Sequence, residues 1–162
     1  MMPERPELFD AFLEMVEPQY RSDVCELHEL FTQNGCAAEI KPTRSGYLVS
    51  YQLIKSKKSV ANFVFRKSGL LLRIYGDCVS RYEQLLEAIP ENMLAAIQKA
   101  ADCKRLTQTG GCNPRCAMGY SFTVQGEQYQ KCRNNAFFFH VNAENGPHLR
   151  ALLERELAAR NS

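Results

Sequence analysis

The sequence lacks a long hydrophobic run, a leader-like segment and any internal repeat. No stretch approaches the roughly 18 consecutive apolar residues that a membrane-spanning helix requires, so we expect no transmembrane segment. Residues 1–5 show no basic segment leading into an apolar one, and we therefore expect no signal peptide. With only seven prolines and nine glycines, the composition excludes a fibrous protein.

The composition is that of a globular protein. The 162 residues are 45% apolar and 23% charged, and this length predicts a single domain covering residues 1–162. The net charge of +2 conceals an asymmetry: residues 1–34 carry eight acidic and two basic residues, whereas residues 35–76 carry one acidic and eight basic ones. An acidic helical layer next to a basic sheet explains this distribution.

Hydrophobic periodicity predicts an α+β fold. Apolar residues recur with a helical period in residues 6–16 and 22–34, and alternate as in a strand in residues 47–54. The same criteria predict strands at 60–66, 70–75, 120–125, 127–133 and 136–141, and a further short strand at 38–41. They predict helices at 79–89, from Pro90 onward and from Asn145 onward. Short connections between strands imply a mostly antiparallel sheet, covered by helices, with an element order of roughly ααβββααββα.

The seven cysteines fall into two groups. Without a secretory signal, they are expected to be thiols or metal ligands rather than disulfides. Cys25, Cys36 and Cys78 are scattered and are expected to act as small buried hydrophobic residues. The other four lie within a cysteine-rich unit at residues 103–133: Cys103, Cys112, Cys116 and Cys132.

The spacing C-x8-C-x3-C-x15-C in this unit predicts a structural zinc site. Such a site needs four thiolate or imidazole ligands in tetrahedral geometry. Cys112 and Cys116 form a short-spaced pair on a Gly- and Pro-containing turn, Cys132 ends the following hairpin, and Cys103 ends the preceding helix. We expect all four to bind the zinc, with His140 or His148 as replacements if Cys103 is too distant.

Other chemistries compete with this hypothesis. Position 119 is glycine, so the third cysteine of a radical-type iron–sulfur motif is missing. Basic residues flank the cysteines and would favour thiolates, which suits a redox enzyme or sensor using Cys112 and Cys116 as well as a metal site. The flanking basic residues are Lys104, Arg105, Arg115, Lys131 and Arg133.

The basic strands at residues 41–73 offer a second alternative, a nucleic-acid-binding module. Aromatic residues alternate there with lysine and arginine, an arrangement that stacks on single-stranded bases if the aromatics are exposed. The aromatics are Tyr47, Tyr51, Phe63, Phe65 and Tyr75. We favour the simpler interpretation that helices cover them, because no RNA-binding or helix-turn-helix motif is present.

The segment Cys-Asn-Pro-Arg-Cys-Ala-Met-Gly-Tyr at residues 112–120, followed by Tyr-Gln-Lys-Cys-Arg at 129–133 and by Phe137, resembles the C-terminal half of a group of small uncharacterised bacterial proteins. The resemblance covers roughly residues 100–157. It implies that the cysteines act as one unit and that the protein is bacterial and cytoplasmic. It implies no reaction, and leaves a small molecule or a protein as the expected partner.

Overall fold

The computed structural model describes residues 6–162, which contain six α-helices and seven strands. The first half comprises α1 (Pro6–Met15), α2 (Arg21–Gln33), β1 (Cys36–Thr43), β2 (Gly46–Leu53), β3 (Ser59–Arg66) and β4 (Gly69–Ile74). The second half comprises α3 (Glu83–Leu86), α4 (Glu91–Lys99), α5 (Lys104–Thr107), β5 (Tyr120–Val124), β6 (Glu127–Lys131), β7 (Phe137–His140) and α6 (Gly146–Arg160). Two 3-10 turns, Pro18–Tyr20 and Val79–Tyr82, precede α2 and α3.

Five strands form one antiparallel sheet in the order β1-β2-β3-β4-β7, and β5 and β6 form a separate hairpin. Strand β7 joins the sheet beside β4, with Phe139 opposite Leu72. The predicted α+β class with a mostly antiparallel sheet is confirmed. Because β7 comes from the second half of the chain, the sheet joins the two halves.

The main core lies on one face of the sheet. Side chains alternate between faces along a strand, so Tyr51, Phe63 and Phe139 project to the same side, where each is essentially inaccessible to solvent. Helices α1 and α2 cover the first two: the Phe12 ring lies 5.6 Å from Phe63, and the Phe31 ring stacks on Tyr51 at 4.0 Å. The predicted helical layer at residues 6–34 therefore packs on the sheet.

The structure has one more strand in each half than the order ααβββααββα, because that order counts neither the short strand at 38–41 nor all three of the strands predicted between residues 120 and 141, which the structure contains; the structure also adds the short helix α5. Strand β1 is longer than the tentative strand at 38–41, and the region predicted as a helix at 79–89 is a 3-10 turn followed by the single turn α3. Tyr82 is the last residue of the 3-10 turn, and its buried hydroxyl donates to the carboxylate of Glu156 on α6. Among the described residues, no helix is long and apolar enough to cross a membrane.

Candidate metal site in the cysteine-rich loop

The cysteine-rich loop, residues 108–119, is largely exposed and runs from α5 to β5. Its last residue, Gly119, packs directly against the hairpin: a Cβ atom at this position would collide with the carbonyl oxygen of Lys131. Within the loop, Cys116 N–H donates to the carbonyl oxygen of Asn113 at 2.9 Å, which closes the turn predicted between Cys112 and Cys116. The loop therefore lies against the end of β6, where Cys132 follows.

Three of the four predicted ligands lie together. Cys112 and Cys132 both lie close enough to Cys116 for their charges to act on its ionisation. Asn134 Nδ2 donates to Cys116 Sγ at 3.1 Å. We name Cys112, Cys116 and Cys132 the thiol cluster.

The electrostatics of the thiol cluster disfavour a free thiolate. Partial burial raises the pKa of Cys116, and the neighbouring Cys112 and Cys132 raise it further, because ionised thiols repel one another. A nucleophilic or redox-active cysteine needs the opposite shift. A divalent cation bound among the three sulfur atoms would offset this repulsion.

Cys103 has a different environment. Its side chain is 7% exposed, and it precedes the first residue of α5. Its Sγ accepts the N–H of Gly119 at 3.4 Å, and hydrogen bonds from the backbone at Leu106 and Gly119 lower the pKa of this thiol. The sulfur therefore helps to hold the loop against α5, a role that the spacing alone did not indicate.

Within residues 6–162, no group of three or more His, Cys, Asp or Glu side chains is arranged to hold a metal ion. A tetrahedral zinc site would bring the sulfur atoms to about 2.3 Å from the metal, so the loop would have to close further around it. The two histidines considered as replacements lie on other elements. His140 Nε2 is 3.1 Å from Ser68 Oγ at the end of β7, and His148 lies in the first turn of α6.

The basic residues that flank Cys132 hold the scaffold in place. Lys131, with 3% of its side chain exposed, donates to the carbonyl oxygens of Gln98 and Ala100 at the end of α4 and pairs with Asp102 at 2.9 Å. Arg133 pairs with Asp77 and donates from Nε to the carbonyl oxygen of Met118 at 2.8 Å. These cations therefore position the hairpin and the loop.

Four of the five aromatic residues considered for base stacking pack with the core of the sheet. Tyr51 and Phe63 are fully buried under α1 and α2, and Tyr47 and Phe65 pack against the same core. This corrects the aromatic part of the nucleic-acid alternative: the residues alternate because one face of the sheet is the core.

Helix α6 carries a buried carboxylate that the sequence did not reveal. Glu156 of α6 is fully buried and accepts hydrogen bonds from Tyr82 Oη at 2.5 Å and from the N–H of Cys78 at 3.2 Å. It also pairs with Arg160 Nε at 2.7 Å. The only sign of this ion pair in the sequence is the spacing of four residues between Glu156 and Arg160. Such pairs usually lie on an exposed helix face, so the spacing did not indicate burial.

The described residues thus define an α+β protein with an exposed cluster of three thiols beside a small hairpin. Comparison with protein-family models, with curated proteins and with solved structures finds no match to this chain.

Proposed function

We propose that this chain is a cytoplasmic binding or regulatory protein in which Cys112, Cys116 and Cys132 hold one zinc ion. The supporting observation is that Cys116 lies close to Cys112 in the loop and to the segment that carries Cys132, where Asn134 Nδ2 donates to Cys116 Sγ at 3.1 Å. Thiolates are preferred zinc ligands, and the metal would neutralise the repulsion among them. Bound zinc would tie the exposed loop at residues 108–119 to the end of β6.

Cys103 is the least suited of the four predicted ligands, because its buried sulfur already accepts backbone N–H groups. We propose that the fourth zinc position is taken by a ligand from solution or from a partner, either a small molecule or a protein. Seven unpaired cysteines suit a reducing compartment, which supports the cytoplasmic assignment.

The test is the zinc content of protein purified under reducing conditions from cells grown with added zinc. We expect one zinc per chain in the wild type, and its loss in Cys116→Ser and Cys132→Ser, because each variant removes one of three ligands. Cys103→Ser should retain the metal, and Cys25→Ser, on helix α2 away from the cluster, is the matched control.

Metal-free wild-type protein, or full zinc content in Cys116→Ser, would contradict the proposal. The contact between Cys112 and Cys116 also suits a redox sensor, in which the two thiols lose two protons and two electrons to an oxidant and form a disulfide. Metal-free protein that loses exactly these two thiols on treatment with diamide would favour that alternative.

A further inference from the structure

A groove of about 940 Å³ lies between α4 and the face of the sheet opposite the main core. Leu71 of β4 and Phe138 of β7 contribute its sheet side, and Ala95 and Ala96 contribute its wall on α4. The Phe138 side chain is 42% exposed, although its strand neighbours Phe137 and Phe139 are buried in the core. The small alanine side chains leave room for an apolar body over Phe138.

The ends of this groove are positively charged. Arg66 is the last residue of β3 and Lys67 lies on the turn that follows, which adjoins His140 through the contact between Ser68 Oγ and His140 Nε2. Lys99, the last residue of α4, lies at the opposite end. Among the groove-lining residues that the structure describes, none is an aspartate or a glutamate.

Glu144, which lies next to the groove-lining residue Asn92, is engaged in a hydrogen bond. Glu144 Oε1 accepts a hydrogen bond from Asn92 Nδ2 at 2.6 Å, which holds the first turn of α4 close to the end of β7. The charge of the groove is therefore set by its arginine and lysine residues. A ligand that complements it has an apolar body and a negative charge.

We propose that this groove binds a small amphiphile with an apolar body and a carboxylate head. The head lies at Arg66 and Lys67, since an arginine guanidinium matches a carboxylate with two parallel hydrogen bonds. The apolar body lies over Phe138 and Leu71, against the alanines of α4. The volume is within the range of small-molecule pockets, and no part of the proposal depends on zinc.

The experiment is a calorimetric titration of the full chain with decanoate, 1-decanol and decyltrimethylammonium, which share an alkyl chain and differ in charge. We expect decanoate to bind at least about tenfold more tightly than the cationic amphiphile, because three cations line the groove. Replacing both Arg66 and Lys67 by glutamine is expected to weaken decanoate binding about tenfold. Lys99→Gln should have the smaller effect.

Two matched variants locate the binding site without disturbing the core. Ala95→Glu places a negative charge in the groove at an exposed helical position and should weaken decanoate binding at least about tenfold. Ala158→Glu makes the same change at an exposed position of α6 and should leave binding unchanged. Absence of decanoate binding, equal affinity for the cationic amphiphile, or equal effects of the two glutamate variants would each overturn the proposal.

Discussion

The Glu156→Gln substitution is expected to lower the free energy of unfolding by about 3–5 kcal/mol, the cost of breaking a buried ion pair by removing one partner. The carboxylate is fully buried and accepts hydrogen bonds from Tyr82, Cys78 and Arg160. Glutamine has nearly the same size but only one acceptor oxygen, so its amide N–H₂ group would face a donor. Arg160, with 5% of its side chain exposed, would lose its counter-charge.

Urea unfolding measures this effect. With a slope of about 2 kcal/mol per molar urea, the midpoint should fall by roughly 2 M. Glu154→Gln, at an exposed position of the same helix, is the matched control and should change stability by less than about 0.5 kcal/mol. If Glu156→Gln stayed within about 1 kcal/mol of the wild type, the buried carboxylate would not hold α6 to the 3-10 turn as described.

Two further substitutions test the electrostatics and the packing of the fold. Burial raises the pKa of the Cys36 thiol from near 9 to about 11, so the folded protein holds this proton more tightly than the unfolded chain does. The stabilisation that results is complete below pH 9 and is lost as the pH rises to 11. The difference in unfolding free energy between the wild type and Cys36→Ala, measured by urea unfolding, should therefore shrink by about 2–3 kcal/mol between pH 8 and pH 11. A difference that stays constant over this range would refute the raised pKa of Cys36. Gly119→Ala should lower Tm by at least about 4 °C, because its Cβ would collide with Lys131 O and lie 2.7 Å from Cys103 Cβ. Gly111→Ala, whose Cβ meets nothing within 4 Å, should leave Tm nearly unchanged in the same thermal scan, and equal shifts would argue against this packing.

The core strands could be predicted because their alternation follows directly from burial. Val49, Tyr51 and Phe63 are fully buried on one face, and the sequence shows this as a period of two. Strand β1 is less apparent because it is an edge strand with exposed residues such as Lys41 and Pro42, which carry little hydrophobic pattern.

Helix capping was less predictable than the helices themselves. Serine is a favoured N-cap residue, yet Ser22 lies inside α2, which begins at Arg21 after a 3-10 turn and has no side-chain cap. Asn145 likewise does not cap α6 through its side chain. Its Nδ2 donates instead to the carbonyl oxygen of His140 and to Asn92 Oδ1, and the contact with Asn92 joins distant segments of the chain, which local sequence does not encode.

The thiol cluster was predictable in part. The spacing of Cys112 and Cys116 indicated a turn, and the hairpin indicated that Cys132 would return to it. The separate role of Cys103 depends on the close approach of Gly119 to Lys131, which is a tertiary contact. Spacing alone therefore predicts which thiols share a region, and the packing of the loop decides which of them meet.

The most direct test of the central proposal is a map of the thiols that zinc protects. Reduced, metal-free protein is alkylated with and without one equivalent of zinc, and each cysteine is quantified by peptide mass spectrometry. We predict that zinc protects Cys112, Cys116 and Cys132 together and leaves the alkylation of Cys103 and Cys25 unchanged. Unchanged alkylation at Cys112, Cys116 and Cys132 on adding zinc would contradict the account.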